Sequence, residues 1–125
     1  MIDAGKTMRT TALRWFPRAG ITGIDAVVLT HGHADAMGGL DDLRDLQPAS
    51  PIRDAQGRVV GRQFGELPIY CNRATYDVCA QTFPYLIRTK HADTEAKEGC
   101  KRRVAALDWR CARLPTASLT PHPRA

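Results

Sequence analysis

Three side chains that could hold a metal ion follow one another at every second position of a short segment. His31, His33 and Asp35 lie in the run Thr-His-Gly-His-Ala-Asp. Because side chains two positions apart in extended backbone point the same way, His31 and His33 can converge on one ion, and Asp35 extends the row. Two imidazoles and a carboxylate suit Zn²⁺, with Mn²⁺ or Fe²⁺ as alternatives. The spacing therefore predicts a metal site.

The chemistry expected of such a site is hydrolysis. A divalent ion lowers the pKa of its bound water to about 7, which creates hydroxide at neutral pH, and it polarises a phosphoryl or carbonyl oxygen. Asp35 could hold or deprotonate that water, which makes it the candidate catalytic residue as well as a ligand. The competing interpretation is that the two histidines are ordinary surface residues of a Gly-rich turn.

The neighbouring elements would place this segment at the end of a strand. Residues 24–30 are β-branched and apolar, which is typical of a buried central strand. Ligands of open α/β sheets gather beyond the carboxyl ends of the strands, where this segment begins. A helix from about residue 39 to 46 should follow, with Leu40 and Leu43 on one face.

The rest of the first 87 residues predicts alternating strands and helices. Residues 1–5 resemble the end of a strand, and Thr7 could cap a helix that runs to about residue 16. Residues 67–71 form a second strand candidate, which enters a helix capped by Asn72 and ended by Pro84. Apolar residues of these two helices share a face, and they are Ala12, Leu13 and Phe16 in the first and Tyr76, Cys79, Ala80 and Phe83 in the second. The alternation favours a layered α/β fold.

Two weaker signals complete this region. Residues 58–64 alternate weakly between apolar and polar side chains, and Pro48 and Pro51 predict a loop before them.

Composition limits the chain to one domain. It has 125 residues, with 18 Lys and Arg against 13 Asp and Glu, and the net charge is +5. The whole excess lies after residue 87, where apolar periodicity also fades except near residues 104–109. We therefore expect a partial domain over residues 1–87 and a basic, largely irregular and disordered tail over residues 88–125. The longest apolar run is too short to cross a membrane, so we expect a soluble protein.

Four cysteines, at positions 71, 79, 100 and 111, form no Cys-x-x-Cys pair. We interpret them as free thiols rather than as a zinc site, with Cys79 in the core. Free thiols favour a reducing, cytoplasmic location. The composition of the first twenty residues leaves an organellar transit peptide as an alternative.

Three motifs together resemble the metallo-β-lactamase superfamily. Residues 2–5 read Ile-Asp-Ala-Gly, residues 29–35 read Leu-Thr-His-Gly-His-Ala-Asp, and residues 38–40 read Gly-Gly-Leu. The closer similarity is to the phosphodiesterase-like branch, which includes phosphoribosyl cyclic phosphodiesterases and tRNA 3′-processing nucleases. Within it the chain resembles a group of plant and fungal hydrolases, over about residues 1–87.

The resemblance implies the N-terminal half of an αββα sandwich and a metal-dependent phosphodiesterase with metal-bound hydroxide as nucleophile. Its substrate would be a small phosphorylated molecule or a phosphodiester. His31 and His33 would ligate the first metal, and Asp35 would serve the second metal or the nucleophilic water. Asp3 would support the ligands from behind.

The chain also departs from the superfamily pattern. Ala36 stands where the superfamily motif ends in His, and after Asp35 only His91 and His122 remain as histidines. We expect neither to be a ligand, because both lie in polar or Pro-flanked stretches. Asp41 and Asp42 could compensate, although on a helix they are more often exposed charges.

The missing ligands leave two alternative functions open. The chain could be a truncated, catalytically inactive fragment or an interaction module, in which case pairing between copies could complete its sheet. It could also bind nucleic acid through the tail, with Trp109 stacking on a base. The basic residues for that role are Lys97, Lys101, Arg102, Arg103, Arg110 and Arg113.

Overall fold

The computed structural model describes residues 1–87 and 105–112. In chain order the elements are α1 (Met8–Trp15), β1 (Val27–Val28), α2 (Ala34–Met37), β2 (Ala49–Arg53), β3 (Val59–Phe64), β4 (Leu67–Asn72), α3 (Arg73–Thr82), α4 (Pro84–Ile87) and β5 (Leu107–Ala112). Two 3₁₀ segments, Pro17–Ala19 and Leu40–Asp45, connect them.

The main sheet is parallel, and β4 lies between β1 and β5. Val27 pairs with Ile69, and Leu67 pairs with Leu107. Ile2 adds a parallel bridge to Val28 at the other edge of β1. The carboxyl ends of the parallel strands therefore meet at one edge of the sheet, where candidate ligands are expected.

Only one face of this sheet is covered by the described helices. Val27, Leu67 and Ile69 are fully buried in the core, which also contains residues of α1, α2, α3 and α4. On the opposite face Val28 is 46% and Ile2 75% exposed. The result is an α/β layer that corresponds to half of a sandwich, as the sequence predicted.

The two strongest strand predictions are confirmed, with one difference in length. β4 covers the predicted residues 67–71, whereas β1 contains only Val27 and Val28 of the predicted residues 24–30. The shortening has a local cause, because the Ile24 amide donates to the Leu46 carbonyl and not to a neighbouring strand.

The helices also follow the predictions in most respects, although Thr7 precedes α1 without a side-chain capping hydrogen bond. Asn72 caps α3, since its side-chain oxygen accepts a hydrogen bond from the Thr75 amide at 2.8 Å. Leu40 and Leu43 are buried on one face, but their segment is a 3₁₀ helix. The prediction for Leu13 was wrong, because the buried face of α1 is formed by Met8 and Ala12 and leaves Leu13 70% exposed.

The expected loop at Pro48 and Pro51 contains a strand. β2 pairs with β3 in an antiparallel hairpin, and Pro51 lies opposite Arg62. A two-stranded hairpin has free edges, where the missing amide hydrogen of proline costs no ladder bond. That tolerance explains why the prolines did not exclude a strand here.

The region predicted as a largely irregular tail contributes β5 to the main sheet. Trp109 is partly buried there, its indole N–H donates to the Leu86 carbonyl at 3.2 Å, and its ring contacts Tyr76 edge to face. Trp109 is therefore not free to stack on a base, which corrects that expectation. Of the tail's basic residues only Arg110 is described, and it is bonded to Asp108 and Tyr70.

Three cysteines are described, and all are free thiols, as predicted. Cys71 and Cys79 are buried and Cys111 is exposed. None of the helices within residues 1–87 and 105–112 has the length and apolar character needed to cross a membrane.

Candidate metal centre

The structure brings His31, His33 and Asp35 together just beyond the end of β1. One ligand atom from each residue lies within 4.8 Å of the others. His33 has extended backbone and directly precedes α2, whose first turn carries Asp35. The extended backbone at His33 and the helical turn that follows it therefore bring the three alternate side chains close together in space.

The cluster is open to solvent. The His31 and His33 rings meet edge to face, with centroids 4.8 Å apart and planes at 85°. His31 Nε2 lies 3.3 Å from Asp35 Oδ1, and the Asp35 side chain is 74% exposed. Water or a substrate can therefore reach the point where the three side chains converge.

A hydrogen-bond chain connects Asp3 to this cluster through Thr30. The Thr30 amide donates to Asp3 Oδ1, and the Thr30 hydroxyl lies at the same distance of 2.8 Å from Asp3 Oδ2. That hydroxyl is also 2.9 Å from His31 Nδ1. The role of Thr30 is not visible in the sequence, because only the pairing of residues 1–3 beside β1 shows that Asp3 reaches it.

Backbone contacts fix the Asp3 segment against α2. The Ala4 amide donates to the Ala36 carbonyl at 2.6 Å, and the Lys6 amide donates to the Ala34 carbonyl at 3.1 Å. Gly5 lies between them, and a side chain there would collide with the Asp35 carbonyl oxygen. Glycine is therefore required for the two backbones to approach this closely.

Two buried sulfur atoms connect α2, which carries Asp35, to α3. Met37 of α2 contacts Cys79 of α3, with 3.3 Å between the two sulfur atoms. Burial raises the pKa of the Cys79 thiol to about 11, so the thiol is uncharged at neutral pH. The contact therefore packs α2 against α3 through two uncharged groups.

The other candidate ligands are placed elsewhere or not described. Asp42 accepts a hydrogen bond from Arg9 at 3.3 Å, and Asp41 interacts with Tyr85. Within the described residues the metal-type cluster contains neither of them. His91 and His122 lie outside the described residues, so their exclusion stays a prediction.

The residues present fit a divalent cation. Two imidazoles and one carboxylate give the minimum of three protein ligands found in catalytic zinc sites, and their exposure leaves room for water. The donor set alone does not distinguish zinc from manganese or iron. The arrangement can therefore support metal-assisted hydrolysis.

A family model and a solved structure match most of this chain. The model described as "Beta-lactamase superfamily domain" covers residues 1–123. A solved structure titled "Crystal Structure of a New Diphosphatase from the PhnP Family" is 32% identical, with a TM-score of 0.54 over 89% of this chain. This chain spans 32% of that structure's chain.

A curated protein matches a shorter part. A stretch of 46 residues is 50% identical to the octanoyltransferase of Porphyromonas gingivalis. The match covers 37% of this chain and 8% of that protein, so it carries no inference about activity.

Proposed function

This chain belongs to the beta-lactamase superfamily, and from that premise we propose that it is a metal-dependent hydrolase of phosphodiesterase type. Its parallel sheet with helices on one face is a partial form of the metallo-β-lactamase fold. The observation that carries the proposal is the convergence of His31, His33 and Asp35 within 4.8 Å. Similarity to a diphosphatase supports a small phosphorylated substrate.

The side chains of the cluster would divide the work of hydrolysis. His31 and His33 would hold the cation through their neutral rings, with Asp35 beside them. The cation would supply water activation and polarisation of a phosphoryl oxygen. The Asp35 side chain is 74% exposed and can be reached by water, and its carboxylate would accept the proton of the attacking water.

The first test is metal content together with stability. We expect the purified chain to contain about one equivalent of zinc, manganese or iron, and to unfold at a lower temperature after a chelator removes it. His31→Ala and His33→Ala should each abolish binding of added Zn²⁺ and hydrolysis of bis(p-nitrophenyl) phosphate. His122→Ala, at a histidine predicted not to be a ligand, should keep both. Hydrolysis that survives in either cluster variant would remove the basis for the assignment.

Asp35→Asn separates the two roles of that residue. If Asp35 acts mainly on the attacking water, we expect kcat to fall by about 100-fold or more, as for loss of a general base, and Zn²⁺ affinity to change far less. The reverse result would make Asp35 chiefly a ligand. Asp77→Asn is the matched control, since Asp77 is an exposed partner of Arg73 on α3.

The alternative is an inactive interaction module, which is favoured by Ala36 in the position where the superfamily motif ends in His. A chain that binds Zn²⁺ through both histidines but hydrolyses no phosphodiester would support that function instead.

A further inference from the structure

Two cysteines lie opposite each other in the main sheet. Cys71 of β4 pairs in register with Cys111 of β5, and both are free thiols. Residues paired in register on neighbouring parallel strands have side chains on the same face of the sheet. We propose that Cys71 and Cys111 form a redox-sensitive pair, which a low-molecular-weight disulfide such as glutathione disulfide oxidises to a bond joining β4 to β5. The proposal does not rest on the proposed function.

The spacing of the two strands suits such a bond. Neighbouring strands lie about 4.8 Å apart, and the Cα atoms of disulfide-bonded cysteines are usually about 4.4 to 6.8 Å apart. The side chains of Cys71 and Cys111 are also within hydrogen-bonding reach of each other. Rotation of the two side chains can therefore bring the sulfur atoms together while β4 and β5 stay paired.

The two thiols differ in their access to solvent. Cys71 is 5% exposed, whereas Cys111 is exposed on β5, the outer strand of the described sheet. Burial and the neighbouring Cys111 raise the pKa of Cys71 to about 12, so this thiol is protonated at neutral pH. Because the nucleophile in thiol–disulfide exchange is an accessible thiolate, the reaction begins at Cys111.

The exchange takes place in two balanced steps. The Cys111 thiolate attacks one sulfur of glutathione disulfide, the bond between the two glutathione sulfurs breaks, and one glutathione leaves as a thiolate. Cys71 then loses its proton to solvent and attacks the Cys111 sulfur, which releases the second glutathione. Two protein thiols are thus oxidised, one glutathione disulfide is reduced, and the two protons end on the two glutathione thiols.

The first step makes the second one easier. The charge of a Cys111 thiolate is one of the causes that raise the pKa of Cys71. Once Cys111 is bound to glutathione its sulfur carries no charge, so Cys71 ionises more readily. Cys79 is a poorer partner, because it is fully buried and its thiol donates to the Met37 sulfur at 3.3 Å. We expect Cys79 to stay reduced.

The test is a disulfide map of the purified chain after incubation with excess glutathione disulfide at neutral pH. Remaining thiols are alkylated with iodoacetamide, and the chain is digested with trypsin. Because trypsin cleaves after Lys and Arg, the four cysteines fall in four different peptides, which are residues 63–73, 74–88, 98–101 and 111–113. We expect the chain to lose two of its four thiols and peptide 63–73 to be linked to peptide 111–113.

Three variants separate the pair from the other cysteines. Cys111→Ser changes an exposed side chain and should prevent the loss of thiols, whereas Cys100→Ser should form the same linked peptides as wild type. Cys71→Ala should keep glutathione bound to Cys111. If Cys71→Ala does not fold, as judged by circular dichroism, the wild-type map and Cys111→Ser decide.

Thermal unfolding shows whether the bond forms within the paired strands. A disulfide that closes the 40 positions between Cys71 and Cys111 constrains the unfolded chain, so oxidation should raise Tm by about 10 °C. Treatment with a phosphine reductant should reverse the rise. Cys111→Ser, taken through the same treatments, should show no such rise and controls for any other effect of the reagents.

Several results would overturn the proposal. They are a chain that keeps all its thiols, a link between any other two peptides, a disulfide between two chains, and a wild type that retains glutathione on Cys111. A correct link without a rise in Tm would also overturn it, since the bond would then form only after β5 has left the sheet.

Discussion

At the scale of single residues, Gly5 controls the distance between the Asp3 segment and the ligands. We expect Gly5→Ala to destabilise the chain by at least about 2 kcal/mol, because its new methyl group would displace the Asp35 carbonyl. The shift should weaken Zn²⁺ binding as well. Urea unfolding and a Zn²⁺ titration measure the two effects.

Gly61→Ala provides the control for that change. An added methyl group at Gly61 would meet Ile52 at an ordinary 3.6 Å, and alanine is as good as glycine or better in a strand. We expect its free energy of unfolding to stay within about 1 kcal/mol of wild type. An equally mild effect of Gly5→Ala would show that the two backbones can separate without harm to the site.

The candidate ligands could be predicted from the sequence, but the residues that hydrogen-bond to them could not. Alternation along one segment predicted that His31 and His33 would converge, and their ligand atoms do lie close together. Thr30 could not be found in this way, because its link to Asp3 spans 27 positions and depends on the register of residues 1–3 against β1. Local periodicity carries no information about such a register.

At the scale of elements, predictions succeeded where burial dominates. β4 and α3 were predicted because each combines an apolar pattern with a sharp boundary, such as the Asn72 cap. β2 and β5 were missed for different reasons. β2 is exposed throughout and contains Pro51, while β5 mixes Asp108 and Arg110 into an edge strand. An edge strand needs little apolar character on its open side.

Cys79 of α3 gives the chain a pH-dependent stability. Its pKa is 9.0 as an unperturbed thiol and about 11 in the folded chain because of burial. Between about pH 9 and 11 the Cys79 thiol therefore keeps its proton in the folded chain and loses it in the unfolded chain. Its contribution to stability is complete below about pH 9 and falls as the pH rises toward 11. We expect Cys79→Ala to reduce this fall, whatever its own cost in packing.

The measurement is urea unfolding of both chains at several pH values between 8 and 11. The quantity to compare is the change in unfolding free energy with pH in each chain. This comparison removes the contribution of the lost side-chain volume, which does not depend on pH. If the unfolding free energies of wild type and Cys79→Ala change equally with pH, the thiol is not held in its protonated form. Burial also raises the pKa of Cys71, to about 12, and Cys79 adds to that increase, so Cys79→Ala should reduce the contribution of Cys71 as well.

At the scale of the whole molecule, Gln47 joins the segment before β5 to the rest. It is 4% exposed, and its amide nitrogen donates to the carbonyls of Gly65 and Ala106 at 2.8 and 3.1 Å. Its oxygen accepts from the Ala106 amide at 3.3 Å. One buried side chain thus binds three backbone groups from two distant parts of the chain.

We expect Gln47→Leu to destabilise the chain by about 2 to 3 kcal/mol, because three backbone groups around a buried side chain lose their partner. The exposed Gln63 on β3 supplies the matched change, and Gln63→Leu should alter stability by no more than about 0.5 kcal/mol. Thermal unfolding of both variants measures the difference. Equal effects would mean that water replaces Gln47 at Gly65 and Ala106.

The order of strands in the sheet also determines how the chain can fold during synthesis. β1 and β4 pair across 42 positions and β4 and β5 across 40, whereas β2 and β3 are joined by a short turn. The hairpin can close within microseconds of leaving the ribosome, but the central strand must wait for its second neighbour until about 40 more residues have been translated. During that interval one hydrogen-bonding edge of β4 is open. A nascent chain of this protein therefore exposes an edge of its central strand to chaperones, or to other nascent chains, for several seconds.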